Sequence, residues 1–194
     1  MLVLASQSPR RRELIAAAGI EFIVRPVNVP EQHRAGESPE DYVRRLAEAK
    51  ASAVPCSDGE IVLGADTVVV VAGQILEKPV DAADAVRMLC LLSGREHEVI
   101  TGICLAGSGR KIVDTASTRV RFIELTAREI DDYVASGEPM DKAGAYAIQG
   151  LASKFIDRIE GEYSNVVGLP VALVYRHLTE RRPWPSASSP PAID

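Results

Sequence analysis

The chain has few rings to pack and no basic excess to hold a polyanion. Aromatic residues make up only 5% of 194 residues, so any core must be largely aliphatic. The formal net charge of -5, with no stretch in which basic and aromatic residues interleave, argues against a nucleic-acid polymer as the main partner. A small anionic ligand stays open, because a local basic cleft needs no basic total. Cysteine is scarce too. Cys56, Cys90 and Cys104 are odd in number and form no CxxC; Cys90 and Cys104 lie in apolar runs and read as core thiols. A reducing, cytoplasmic setting fits that usage. The three histidines, His33, His97 and His177, have no metal-ligand spacing. No apolar run is long enough to span a bilayer, Met1–Ala5 is too short for a signal peptide, and no internal repeat is visible.

What is present is aliphatic bulk. Hydrophobic residues are 46% of the chain, enough for one sizeable domain or two tightly joined lobes. Residues 1–182 read as that domain. From Glu180 the sequence turns polar and rich in Pro and Ser, so 183–194 reads as a disordered tail. The densest apolar stretch runs from Ile61 to Pro79, where two β-branched runs flank one carboxylate, Asp66. A charge inside a buried strand is costly without a partner. Gly64 before it predicts a bulge or a close backbone approach. Ala72-Gly73 fits a hairpin tip in which Val71 opposes Gln74, Val69 opposes Leu76 and Thr67 opposes Lys78. That register brings an acid, a hydroxyl and an amine together, a set able to bind metal and phosphate. The alternative is a hairpin with a surface ion pair.

Around this stretch the pattern alternates between strand and helix. Leu2–Ala5 reads as a buried strand, and Ser8-Pro9 starts a helix whose apolar face is Leu14, Ile15 and Ala18. Its first turn holds Arg10, Arg11 and Arg12, where the helix dipole disfavours cations. Cations beside free backbone N–H groups describe a phosphate site, against the alternative of a solvated cluster. Phe22–Val24 reads as a strand, followed by an irregular loop through Glu31. Ser38-Pro39 opens a helix with the stripe Val43, Leu46, Ala47, Lys50 and Ala53. Lys50 therefore either snorkels to water or points into a cleft. Asp81–Leu92 is predicted helical, with Val86, Leu89 and Cys90 inward. His97–Ala106 and Lys111–Ile123 read as paired strands, and the alternation of Thr118, Val120 and Phe122 with Arg119 and Arg121 exposes one face. Thr126–Glu129 is a capping box. Asp141–Gly150 is rich in small residues that allow close approach to a ligand, and Gln149 is suited to a base edge, unless the segment is only a packing corner. Phe155–Ile159 reads as a strand, and Gly168-Leu169-Pro170 opens a last helix to about Leu178.

Taken together, Ser6-Gln7-Ser8-Pro9-Arg10-Arg11, Glu31, Lys50, Gly64-Ala65-Asp66-Thr67, Glu77-Lys78-Pro79, Asp141-Lys142-Ala143-Gly144 and Ile148-Gln149-Gly150 resemble the Maf family of nucleotide pyrophosphatases, from Leu2 to about Leu178. The resemblance implies an α/β fold like that of inosine triphosphate pyrophosphatases: a long, twisted mixed sheet flanked by helices, with two lobes and a central cleft. It implies hydrolysis of a nucleoside triphosphate to the monophosphate and pyrophosphate with a divalent metal, usually magnesium and alternatively manganese, for which Asp66 and Glu31 offer the carboxylate oxygens that magnesium prefers. Asp66 matches the catalytic acid, usually assigned as proton acceptor. Ser6, Arg11, Glu31, Lys50 and Lys78 match polar cleft residues. Arg10, Thr67 and Gln149 match the branch acting on dTTP and UTP; the 7-methyl-GTP branch tends to carry Trp, Gln and Glu there. Asn28-Val29-Pro30 departs from the more acidic run that many members carry before the glutamate. The resemblance also implies a homodimer. A nucleotide-binding regulator of cell division is the other class it brings in, and a nucleic-acid module is disfavoured by the charge.

Overall fold

The structure, a computed structural model, describes residues 1–180; the expected tail at 183–194 lies outside them. Its centre is the eleven-residue strand β3 (Ile61–Val71). Eight of its residues are buried, which explains the near-continuous apolar run. Before it come β1 (Leu2–Leu4), helix α1 (Pro9–Ala17), β2 (Phe22–Val24) and helix α2 (Pro39–Ser52). After it come β4 (Gln74–Leu76), α3 (Ala82–Leu92), β5 (Glu96–Gly107), β6 (Arg110–Phe122), α4 (Ala127–Ala135), β7 (Ile156–Glu160), α5 (Tyr163–Val167) and α6 (Val171–Thr179). Seven strands form one mixed sheet in the order β2-β1-β3-β5-β6-β7, with β4 added to β3. The β1–β2 and β1–β3 pairs are parallel and all others antiparallel.

One edge of β3 pairs with β5 without interruption from Val62 to Val70. The opposite edge is divided. β1 pairs with Ile61–Leu63, and β4 pairs with Val69–Val71. Between these two ladders Asp66 and Thr67 have no strand neighbour on that side, and a cleft opens there. The sheet therefore splits beside its one buried carboxylate.

The predicted caps form. Ser8 and Ser38 accept the backbone N–H groups of Arg11 and Asp41, and Thr126 and Glu129 make the reciprocal box. The hairpin pairs Val71 with Gln74 and Val69 with Leu76, as read, but the ladder ends there. Thr67 does not face Lys78: the Glu77 carbonyl turns instead to accept from Gly144 N. Gly64 marks a close approach and no bulge, since the β3–β5 register runs straight through it. Three inward assignments fail. Cys90 is exposed, because α3 buries Ala85, Met88, Leu89 and Leu92 instead. Ala18 caps α1 in solvent, and Ala53 is exposed past the end of α2, where Ala51 and Val54 point inward.

Few rings does not mean dispersed rings. Phe122, Tyr146 and His97 meet edge to face at 4.9–5.3 Å. His97 is 2% exposed, its Nε2 bonds the Tyr146 hydroxyl at 2.8 Å, and its Nδ1 is unpartnered. Burial pulls its pKa from 6.5 to about 4. Below pH 6.5 the unfolded chain takes up a proton that the native His97 refuses until about pH 4. Stability should fall as pH is lowered from 6.5 to about 4, by roughly 1.4 kcal/mol per pH unit. Thermal melts at several pH values across that window should show a smaller loss for His97→Phe than for the unmodified chain. Equal losses would mean that the native imidazole titrates normally.

Candidate active site

Side chains alternate across β3, so Asp66 and Thr67 point to opposite faces of the sheet. Asp66 turns toward α2. That helix lies close because β3 and β5 present glycines to it: a Cβ on Gly64 would stand 2.2 Å from the Ala47 carbonyl oxygen, and one on Gly102 2.4 Å from that of Val43. The close contact delivers Lys50 to Asp66. Lys50 is 8% exposed and does not snorkel away; its Nζ lies 2.5 Å from Asp66 Oδ1 and 2.5 Å from Glu31 Oε1. Burial pushes the Asp66 carboxyl above its ordinary value, while Lys50 and Arg11 pull against that shift. Glu31 is more exposed. Burial raises it as well, but its hydrogen bond to Lys50 and the charges of Lys50, Lys78 and Arg11 bring it below the ordinary value.

On the other face Arg11 reaches inward from the first turn of α1. Its Nε donates to the Gly168 carbonyl at 2.8 Å, Nη1 to the Ala65 carbonyl at 2.8 Å and Nη2 to Thr67 Oγ1 at 3.1 Å. Ser6 Oγ accepts from Ser8 N at 3.1 Å and from Arg11 Nη1 at 3.4 Å. Thr67 Oγ1 also meets Thr101 Oγ1 at 2.9 Å. Ser6, Arg11 and Thr67 thus form one connected group. Arg10 instead crosses the cleft to Asp141, with Nη1 on Oδ2 at 2.9 Å and Nη2 on the backbone carbonyl at 3.2 Å. The third arginine of the run, Arg12, is exposed and does not line the cleft.

All nine residues singled out in the sequence line a single cavity of about 440 Å³: Ser6, Arg10, Arg11, Glu31, Lys50, Asp66, Thr67, Lys78 and Gln149. Lys78 and Gln149 are on its wall, with no hydrogen-bonding partner for either side chain among the described residues. Tyr42, Glu77, Asp141 and Lys142 line it too. The motifs around Glu77 and Asp141 were visible, but those two residues carried no assigned role. Tyr42 stood outside the stripe read from the sequence and gave no signal, because a lone tyrosine in the first turn of a helix carries no pattern of its own. It is 1% exposed, and its hydroxyl donates to Glu77 Oε1 at 2.5 Å.

The family model for Maf-like proteins matches residues 1–181. The chain belongs to the Maf family. It is 55% identical over 176 residues to a dTTP/UTP pyrophosphatase of Koribacter versatilis, covering 90% of this chain and 91% of that protein. It is 53% identical over 175 residues to a dTTP/UTP pyrophosphatase of Anaeromyxobacter dehalogenans, covering 88% and 89%. A dTTP/UTP pyrophosphatase of Hahella chejuensis is 55% identical over 175 residues, covering 88% and 87%. Among solved structures, the Ham1 protein of Staphylococcus aureus aligns with TM-score 0.43 and 14% identity, covering 62% of this chain and 71% of that one. Within the Maf frame, the cleft residues come from both ends and the middle of the matched region, which is why no single motif outlines the site.

No helix among the described residues is long and apolar enough to cross a membrane. Nor is there a group of three or more His, Cys, Asp or Glu side chains able to hold a metal by themselves. The carboxylates of Asp66 and Glu31 do converge on one positive charge, the Lys50 ammonium. Two acidic ligands suit magnesium, which keeps several waters and takes the rest of its shell from substrate phosphates.

Proposed function

We propose that this chain hydrolyses nucleoside triphosphates, dTTP and UTP foremost, to the monophosphate and pyrophosphate. The observation that carries the reading is the ion-paired Glu31–Lys50–Asp66 row lining one cavity together with Arg10, Arg11 and Lys78. A triphosphate needs converging cations, and hydrolysis at phosphorus needs a group to take a proton from water. The identity of 53–55% to proteins named for dTTP and UTP supports that substrate class.

In this reading Arg10, Arg11 and Lys78 receive the phosphate oxygens. Arg11 is held at Nε, Nη1 and Nη2 before substrate arrives, so little side-chain entropy is lost in binding. Asp66 is the proton acceptor. Water attacks the α-phosphorus, the bond to the oxygen bridging α and β breaks, pyrophosphate departs with that electron pair, and the water's proton passes to Asp66. Burial raises the carboxyl and makes it a better base than an exposed aspartate, while Lys50 fixes its orientation. Asp66 and Glu31 would hold a divalent cation, magnesium foremost, which when bound neutralises phosphate charge and acidifies water.

Gln149 stands on the wall with a free amide, and uracil and thymine offer O4 as acceptor and N3–H as donor. Gln149→Glu keeps the size and removes the donor. Gln149 is exposed, so the loss arises where a bound base covers it: dTTP and UTP turnover should weaken by roughly 1–3 kcal/mol in kcat/KM, the usual penalty for a polar group left unpaired once covered, and purine nucleotides by less. Equal losses across bases would make Gln149 a loop residue only. The reading as a whole is tested by incubating the purified protein and magnesium with purine, pyrimidine and modified pyrimidine triphosphates and identifying the phosphate products. Release of orthophosphate in place of pyrophosphate, or tight binding without turnover, would overturn it; the second outcome would favour a nucleotide-sensing regulator.

A further inference from the structure

Glu31 lies in a segment, residues 25–38, that contains no helix or strand. Residues 30–36 are all exposed. Such a segment has nothing of its own to fix a side chain, yet Glu31 Oε1 is held 2.5 Å from Lys50 Nζ. The fixing groups come from α2. Arg45 grips Glu37 with two parallel bonds, Nε to Oε1 at 2.6 Å and Nη2 to Oε2 at 2.7 Å. The same Nη2 donates to the backbone carbonyl of Gln32 at 2.9 Å, one residue from Glu31. Glu37 in turn accepts from Arg34 N at 3.1 Å through Oε2, and its backbone carbonyl meets His33 Nε2 at 3.0 Å. The Arg45 guanidinium also stands 5.4 Å over the Tyr42 ring, which His33 meets in a T-shaped contact at 5.3 Å between centroids. One arginine therefore ties both ends of the exposed turn to the helix that carries Lys50.

We propose that Arg45 is a positioning residue: it clamps residues 32–37 onto α2 and thereby holds Glu31 in the site. Arg45 does not line the cavity and makes no hydrogen bond or ion pair to Lys50, Asp66 or Glu31. Its hydrogen bonds go to the segment. Its other links to the site are the Tyr42 ring it covers and the charge of Asp66 at a distance, and the double-variant cycle separates those routes from the one through Glu31. Only a planar fork can bond a carboxylate at two points and a carbonyl beside it, so lysine is no substitute. This inference rests on the proposed hydrolase reading, and the measurements separate the two.

Arg45→Ala, Arg45→Lys, Glu31→Gln and the double variants should be compared for pyrophosphate release from dTTP or UTP, for melting temperature and for amide hydrogen exchange in residues 31–37. Arg45→Ala should lower kcat roughly tenfold or more, the scale seen when the partner that orients a functional carboxylate is removed. KM should move little, because the phosphate-binding cations are untouched. Exchange in residues 31–37 should quicken while that of β3 and β5 stays slow. In the Glu31→Gln background, Arg45→Ala should cost less than about twofold more, since a residue acting through Glu31 has nothing left to position. Arg45→Lys should behave as Arg45→Ala does, and it carries the same cycle if the alanine variant folds poorly. Losses that multiply in the double variant, or exchange in 31–37 unchanged by either Arg45 substitution, would overturn the proposal. Absence of pyrophosphate release from the unmodified chain would instead overturn the hydrolase reading, leaving the exchange measurement to decide the clamp.

Discussion

Asp66→Asn should lower turnover by at least ~10²-fold, the scale expected when a general base or metal contact is lost. Asparagine keeps the shape of the side chain but cannot take a proton at neutral pH. The fold should survive, because Lys50 retains Glu31 as a partner and is not left as an unpaired buried cation. Nucleotide affinity should change far less, since Arg10, Arg11 and Lys78 remain on the cavity wall. Pyrophosphate release and nucleotide binding measured on one preparation of the folded variant decide the matter. Near-normal turnover would remove Asp66 from the chemistry and shift the role of base to Glu31. A loss of binding in proportion to turnover would make Asp66 a binding group alone.

Gly64→Ala should be the most damaging single-methyl change in the sheet. The added carbon would lie 2.2 Å from the Ala47 carbonyl oxygen and 2.6 Å from Ala51 N, both backbone atoms of α2. Backbone in a helix cannot step aside locally, so the helix must move as a body or the strand must bend. Overpacking of this kind costs about 3 kcal/mol. The same displacement would carry Lys50 away from Asp66, and misplacement by about 1 Å is enough to cost ~10²-fold in rate. Denaturant midpoints and turnover on the same variant test both parts. A loss below about 0.5 kcal/mol, within the range of ordinary surface changes, would mean that α2 rides on the sheet more loosely than these distances require.

The two substitutions touch the feature that separates what was legible from what was not. Local signals were read correctly where the cause is local. Ser8, Ser38 and Thr126 cap because their side chains reach a backbone N–H three residues on, and Ala72-Gly73 turns because both residues adopt positive φ. Lys50 was found because a lysine broke an apolar stripe at helical spacing. Inward assignments failed at Ala18, Cys90 and Ala53, where a residue of intermediate polarity sat near a helix edge and only the position of the neighbouring layer decides its exposure.

Sequence by itself determined the order of the strands and of every helix except the short α5, because these rest on periodicity and capping chemistry. Membership of the Maf family, and with it the places of Ser6 and Glu31 among the nine cleft residues, rested on runs of residue types in fixed order that resemble the family. Tertiary structure alone decided who meets whom. Thr67 was expected opposite Lys78 and instead bonds Arg11, because the hairpin ladder stops at Val69 and the strand's free edge opens onto α1, and also Thr101, its partner across the β3–β5 ladder. Arg10 and Asp141 are 131 residues apart in the chain and Arg11 and Gly168 are 157 apart, and no local spacing encodes such pairs. Tyr42 and Arg45 gained their places in or behind the site only when α2 came down on Gly64 and Gly102. The helix carries its residues as a rigid body, so the depth of that one contact sets where Tyr42, Arg45 and Lys50 stand relative to Asp66.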